Sequence, residues 1–210
     1  AVLTRRLSAA LKRLNPWMSV DNLQKGVRTV THVHAASLIE ASEKVHTTLA
    51  YGISLEQDRG DGKKPHDVRY FDFDRPENNE FIVTQQFAVQ GTKKKIRPDL
   101  VLFVNGVPLV VIECKSPTIG DKWLHDAVEQ FHRYQGLGDN YRDLGAPALF
   151  PCVQLLVATC GQAALVGTVV TPQRFFAEWK TTYPTADAAL KTELGREPSA
   201  QDILFYGVLR

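Results

Sequence analysis

Cysteine is scarce in this chain, with only Cys114, Cys152 and Cys160. An odd count without CxxC spacing supports neither a disulfide framework nor a zinc site, and it fits a reducing cytoplasm. Long apolar runs are missing as well: none reaches the roughly 18 residues of a membrane span, so no membrane partner is expected. Excess charge of one sign is small, a formal +2 from 25 basic and 23 acidic residues. A nucleic-acid partner therefore has to be argued from local clusters rather than from net charge. The segment 56–67 carries Gly62-Lys63, but Lys64 stands where Ser or Thr would be needed and no strand leads into it, which excludes a P-loop. There is no nucleophile elbow of the serine hydrolases. The opening stretch AVLTRRLSAALKRLNPW has no secretory apolar core and reads as an amphipathic helix stopped by Asn15-Pro16.

What is present is ordinary globular material, 210 residues with 44% hydrophobic and 23% charged, enough for one sizeable domain with an appended arm. Val27, Val30, Val33, Leu38, Val45 and Leu49 recur at helical intervals, predicting helix over residues 19–50 with Gly52 as the stop. The stretch 56–67 reads as a polar Gly/Pro loop. From Val68 the period becomes that of strands: VRYFDFD, EFIVTQQFAVQ, DLVLFV and PLVVIECK, the last two joined at Asn105-Gly106. Those two are apolar on both faces, so helices must cover the sheet on both sides, giving an α/β layer structure. A helix follows at 123–135, a strand at 153–159, a short strand at 167–170 and a helix at 173–181. Pro184 and Pro198 bracket a further helical stretch. The expected division is a helical region at 1–55, a core at 56–182 and an arm at 183–210. Starting on Ala and ending on an apolar helical pattern, the chain reads as an excised segment.

The chemistry gathers at Pro98-Asp99 and Glu113-Cys114-Lys115. Residues two apart on a strand share a face, so Glu113 and Lys115 point together and Cys114 points the other way. Two carboxylates at close quarters repel, and a divalent cation relieves them; hard oxygen donors favour Mg2+ or Mn2+. Such a cation polarises a phosphodiester and activates water, with Lys115 stabilising developing charge or helping to deprotonate the water. The charged residues interrupt runs that are otherwise apolar, and buried charge is costly unless it has a partner or a task. The basic run Lys93, Lys94, Lys95 and Arg97 directly precedes Asp99, where a phosphate backbone would lie. In the helix HDAVEQFHRYQ, Gln130 and Tyr134 are four apart and share a face. His32 and His34 form an HxH pair whose rings diverge on the helix expected there.

The run RPDLVLFVNGVPLVVIECKSP followed by QFHRY resembles the PD-(D/E)xK nuclease domain at the front of the restriction (R) subunit of type I restriction-modification enzymes. The likeness is densest over about residues 80–135 and extends more loosely through LNPW, LIEASEKVHTTLAYGISLE, DFDRPENNEF and GTVVTPQRFFAEWK. It implies a mixed central sheet flanked by helices, a restriction-endonuclease-like core. It implies that Asp99 and Glu113 hold the metal with the Cys114 backbone carbonyl, that Lys115 is the catalytic lysine, and that Gln130 and Tyr134 assist on the DNA side. Relatives often add an acidic residue from the first helix, for which Glu40 and Glu43 are the candidates. The implied partners are double-stranded DNA and the modification and specificity subunits; ATP would serve only motor domains outside this chain. A stand-alone repair nuclease and a catalytically silent DNA-binding module are the alternatives.

Register makes a further demand. A plain two-residue turn would pair Val104 with Val107 and set Asp99 opposite Ile112, facing away from Glu113. One small cation bonds carboxylate oxygens at roughly 2.0–2.1 Å and cannot bridge two faces of a sheet. A three-residue loop with Gly106 left-handed would correct the register, pairing Phe103 with Val107; a bulge or a splaying of the strand near Asp99 would serve equally. Either brings the two carboxylates within about 5 Å, close enough for one ion.

Overall fold

The computed structural model describes residues 1–209. Helices α1 (Thr4–Leu14), α2 (Val20–Thr31) and α3 (Leu38–Tyr51) come first. The single helical stretch expected over 19–50 is two helices. The Ser37 side chain, on extended backbone, accepts the Glu40 N–H and starts α3 afresh, while α2 closes at His32. His32 and His34 therefore lie at and beyond a helix end rather than on a helix.

The supposed polar loop is a hairpin, β1 (Ile53–Asp58) and β2 (Lys63–Val68). Its alternation is inward Ile53 and Leu55 against outward polar residues, with His66 against the Trp17 ring, and the polar majority masks the period. Of VRYFDFD only Val68 belongs to a strand. EFIVTQQFAVQ is split: β3 (Phe81–Gln85) ends at Gln86, whose φ is 53°, and β4 (Val89–Gln90) pairs instead with β5 (Lys95–Ile96). Then come β6 (Leu100–Val104), β7 (Val107–Cys114), α4 (Trp123–Gln135), β8 (Leu155–Cys160) and β9 (Ala163–Gly167). The strand expected at 167–170 thus lies earlier. The helix expected at 173–181 is only a short 3-10 turn, Gln173–Phe175, because Phe176 turns inward to stack on Phe131 and sits where any side chain at Gly167 would fall. Helices α5 (Asp187–Leu194) and α6 (Ala200–Val208) end the described chain.

The main sheet has five strands in the order β3-β6-β7-β8-β9, antiparallel except for β7 and β8. That parallel pair requires a crossover, and α4 lies within it. Val101, Phe103, Val111, Leu156 and Ala158 pack on one face with Ala127, Val128 and Phe131 of α4. Val110, Ile112, Val157 and Ala164 on the other face pack with Leu204 of α6. Burying each of the Val, Ile, Leu and Phe side chains contributes about 1.5–3 kcal/mol. This covering of both faces is the α/β layering that the doubly apolar strands demanded. Among the described residues, no helix is long and apolar enough to cross a membrane.

Candidate active site

The hairpin joining β6 to β7 decides where Asp99 points. Asn105 and Gly106 both take positive φ, 50° and 82°, as a tight two-residue turn requires, and Val104 pairs with Val107. A Cβ on Gly106 would meet the Leu3 carbonyl oxygen at 2.7 Å, so this position needs glycine for space as well as conformation. Asn105 is fully buried; its Oδ1 accepts from the Glu80 N–H and Arg13, and its Nδ2 donates to the Tyr70 carbonyl and Asn79 Oδ1. The turn is thus the two-residue form, not the three-residue loop, and the correction occurs two residues further on. Phe103 pairs with Pro108 but Leu102 with Val110, leaving Leu109 as the extra residue of a bulge. Pairing then runs to Leu100 with Ile112, so the next residues, Asp99 and Glu113, stand opposite one another.

Glu113 follows Val111 on the α4 face and is completely buried. Its Oε2 accepts from Gln130 Nε2 at 2.6 Å, and its Oε1 has no partner. Burial first, and the neighbouring Asp99 charge second, push its pKa up to about 8, with Lys115 pulling the other way. Asp99 is held from two sides: Gln86 Nε2 donates to Oδ1 at 2.8 Å and the Cys114 N–H to Oδ2 at 2.8 Å. Lys115 Nζ lies 3.5 Å from Glu113 Oε2 and donates to Gln130 Oε1 at 2.6 Å. Gln130 also donates to the Tyr134 hydroxyl, which in turn donates to the Arg97 carbonyl at 3.0 Å. Glu113, Lys115, Gln130 and Tyr134 therefore form one bonded network, with Asp99 opposite Glu113 and held separately by Gln86 and the Cys114 N–H. Tyr134 is only 5% exposed, its ring inside the α4 layer and its pKa raised to about 12 by burial and then by Glu113. Its hydroxyl is committed to protein groups.

Cys114 is exposed, its side chain outside the α4 core. Lys93, Lys94, Lys95 and Arg97 are all exposed on and after the β4–β5 hairpin, where Lys93 pairs with Asp143 at 2.5 Å. A Cβ on Gly91 would meet the Gly145 carbonyl oxygen at 1.9 Å, so this hairpin is braced against the segment after α4. Glu40 holds Lys44 and the Ala36 N–H; Glu43 is exposed beside His46, which bonds Gln154 at the far end of β8 from Ala158, the partner of Glu113. The structure brings neither glutamate to the cluster. Gln86 is the residue that sequence reasoning missed; its only signal is the doublet Gln85-Gln86 interrupting apolar alternation.

The donor set fits a hard cation. A buried carboxylate with one unpartnered oxygen, facing a second carboxylate, is the arrangement a divalent ion relieves. Among the described residues there is no group of three or more His, Cys, Asp or Glu side chains placed to hold a metal ion, so backbone carbonyl and water would have to complete the shell. This suits Mg2+, which retains several waters.

A mixed five-stranded sheet with helices on both faces and charged residues at its strand ends is a restriction-endonuclease-like α/β architecture. Residues 1–175 match the family model of the type I restriction enzyme R protein N terminus, and the chain belongs to that family. It is 30% identical over 183 residues to a putative type I restriction enzyme MjaIXP endonuclease subunit of Methanocaldococcus jannaschii, an alignment covering 86% of this chain and 17% of that protein. It is 29% identical over 181 residues to the type I restriction enzyme HindI endonuclease subunit of Haemophilus influenzae, covering 85% and 16% respectively. The chain thus spans about a sixth of the length of these relatives.

Proposed function

We propose that this chain is the metal-dependent DNA endonuclease domain of a type I restriction enzyme, hydrolysing phosphodiester bonds of double-stranded DNA. The observation carrying the reading is the fully buried Glu113, its Oε1 without a partner, opposite Asp99. A carboxylate so placed costs several kcal/mol unless a cation or proton joins it. Asp99, Glu113 and the Cys114 carbonyl would hold Mg2+ or Mn2+, which when bound supplies Lewis-acid polarisation of the phosphate and activation of water. Lys115 presents an ammonium at the scissile group, stabilising charge on the phosphoryl oxygens. Gln130 keeps Lys115 and Glu113 in fixed relation, and Tyr134 ties both to the backbone before Asp99. Lys93, Lys94, Lys95 and Arg97 offer exposed cations to the DNA backbone.

The relatives' greater length leaves room for ATP-driven motor domains, with residues 183–210 as the arm toward them and the modification and specificity subunits as partners in a cytoplasmic complex. Supercoiled plasmid incubated with the enzyme in Mg2+, with EDTA and Glu113→Ala as controls, tests the reading. Cleavage that persists in EDTA or in the variant overturns it.

A further inference from the structure

We propose that Gln86 is a positioning residue for Asp99, setting the orientation in which its carboxylate meets a divalent cation. The inference rests on the proposed metal site and names a contributor to it besides Asp99, Glu113, Lys115, Gln130 and Tyr134.

Gln86 follows the last paired residue of β3, since Gln85 pairs with Leu100, and so stands beside Asp99 at the end of β6. It bonds that one residue twice: its backbone N–H donates to the Asp99 carbonyl at 2.9 Å, and its Nε2 to Asp99 Oδ1 at 2.8 Å. Its φ of 53° is left-handed, a conformation that costs a residue other than Gly, Asn or Asp of the order of 1 kcal/mol and persists only where the surroundings impose it. The side chain is exposed, so packing does not impose it. The turn aims the amide at Asp99.

The chemistry suits a metal ligand. With the Cys114 N–H on Oδ2, Asp99 receives one neutral donor on each oxygen, one from the turn after β3 and one from β7. Two such donors fix the carboxylate plane while leaving a lone pair on each oxygen and the full negative charge. A lysine or arginine in place of Gln86 would fix the plane and oppose the cation. Partners of this kind alter metal affinity by about 10–100-fold when removed.

Gln86→Gly separates the roles, because glycine adopts φ near 53° without strain and keeps the backbone N–H. Mn2+ binding by this chain, read from loss of the free-ion EPR signal, is compared for wild type, Gln86→Gly and Asp99→Asn, with thermal melts in EDTA alongside. Expected are tight binding by wild type, loss of binding in Asp99→Asn, and about tenfold weaker binding in Gln86→Gly with an unchanged or higher melting temperature. Wild-type affinity in Gln86→Gly overturns the positioning role while leaving the site intact. Absent binding in wild type, or equal binding in Asp99→Asn, overturns the metal site and this inference with it. A lower melting temperature in Gln86→Gly with unaltered affinity assigns Gln86 to the fold alone and also refutes the proposal.

Discussion

The Tyr134 hydroxyl donates to the Arg97 carbonyl at 3.0 Å, so α4 grips the backbone two residues before Asp99. The same oxygen accepts from Gln130, which bonds Lys115 and Glu113. One phenol therefore joins both halves of the cluster. Tyr134→Phe keeps the ring and its packing and removes only this junction. Expected are a loss of about 1 kcal/mol in urea unfolding and cleavage reduced several-fold rather than abolished. Unaltered cleavage with unaltered stability would show that the junction is idle.

Glu113 presents the opposite balance. Its carboxyl is forced up to about 8 because the charged form is desolvated, so in metal-free protein it weakens the fold. Glu113→Gln keeps the shape and removes the charge. In EDTA at neutral pH the variant is expected to gain about 1–3 kcal/mol and melt several degrees higher, while losing cleavage. A variant less stable than wild type in EDTA would mean that the carboxylate contributes to the fold.

How much of this was readable before the structure depends on where burial acts. Strands β6 and β7 were legible because buried strands are apolar throughout, and α4 because Ala127, Val128, Phe131 and Tyr134 all face one way. Hairpin β1–β2 was not, since outward polar residues with Gly60 and Gly62 at its turn mimic a loop. Register was half legible. Metal chemistry demanded a shift, but whether the turn or the strand supplied it was settled by the buried Asn105, whose four hydrogen bonds fix the two-residue form and leave the extra residue to Leu109. Gln86 was illegible because nothing in a residue's identity announces a left-handed φ when the residue is not glycine.

Asn105→Ala tests that account of the turn. Truncation strands the part-buried Glu80 N–H and the buried Tyr70 carbonyl and removes one of the two anchors of Arg13, the other being the Asn78 carbonyl. The expected cost is about 2–4 kcal/mol in denaturant unfolding, far above a surface substitution. A change within about 0.5 kcal/mol would show that water replaces the side chain at no loss.

Asp202 sets the acid limit of α6. Arg196 first and Ser199 next hold its pKa down to about 2, and with Ser199 it forms the capping box of α6. A depressed carboxyl stabilises the fold above its unfolded pKa and loses that contribution as pH falls through the folded value. The contribution is thus whole above about pH 4 and gone below about pH 2. Asp202→Asn is expected to cost about 1 kcal/mol at neutral pH and to flatten the pH dependence of stability between those limits. Identical acid profiles for both proteins would dissociate α6 from this ion pair.

Loss of function should be graded along the network. Asp99→Ala or Glu113→Ala removes charge that would hold the cation, and Lys115→Ala removes the only ammonium within reach of Glu113 among the described residues. Each is expected to lower cleavage at least a thousandfold, of the order seen when a charge-stabilising group is removed. Gln130→Ala removes no charge but frees Lys115 and Glu113 from their shared partner, leaving their direct 3.5 Å pair. Its loss should fall at about 10–100-fold, the range of groups that orient others. Plasmid cleavage time courses on the four variants in the full-length R subunit, with ATP hydrolysis measured in parallel, give the ranking. ATP hydrolysis should stay near wild type in all four, since the cluster lies wholly within β6, β7, α4 and the residues beside them. A Gln130 variant as inactive as Glu113→Ala would make Gln130 part of the chemistry, and cleavage surviving in any of the other three would remove that residue from it.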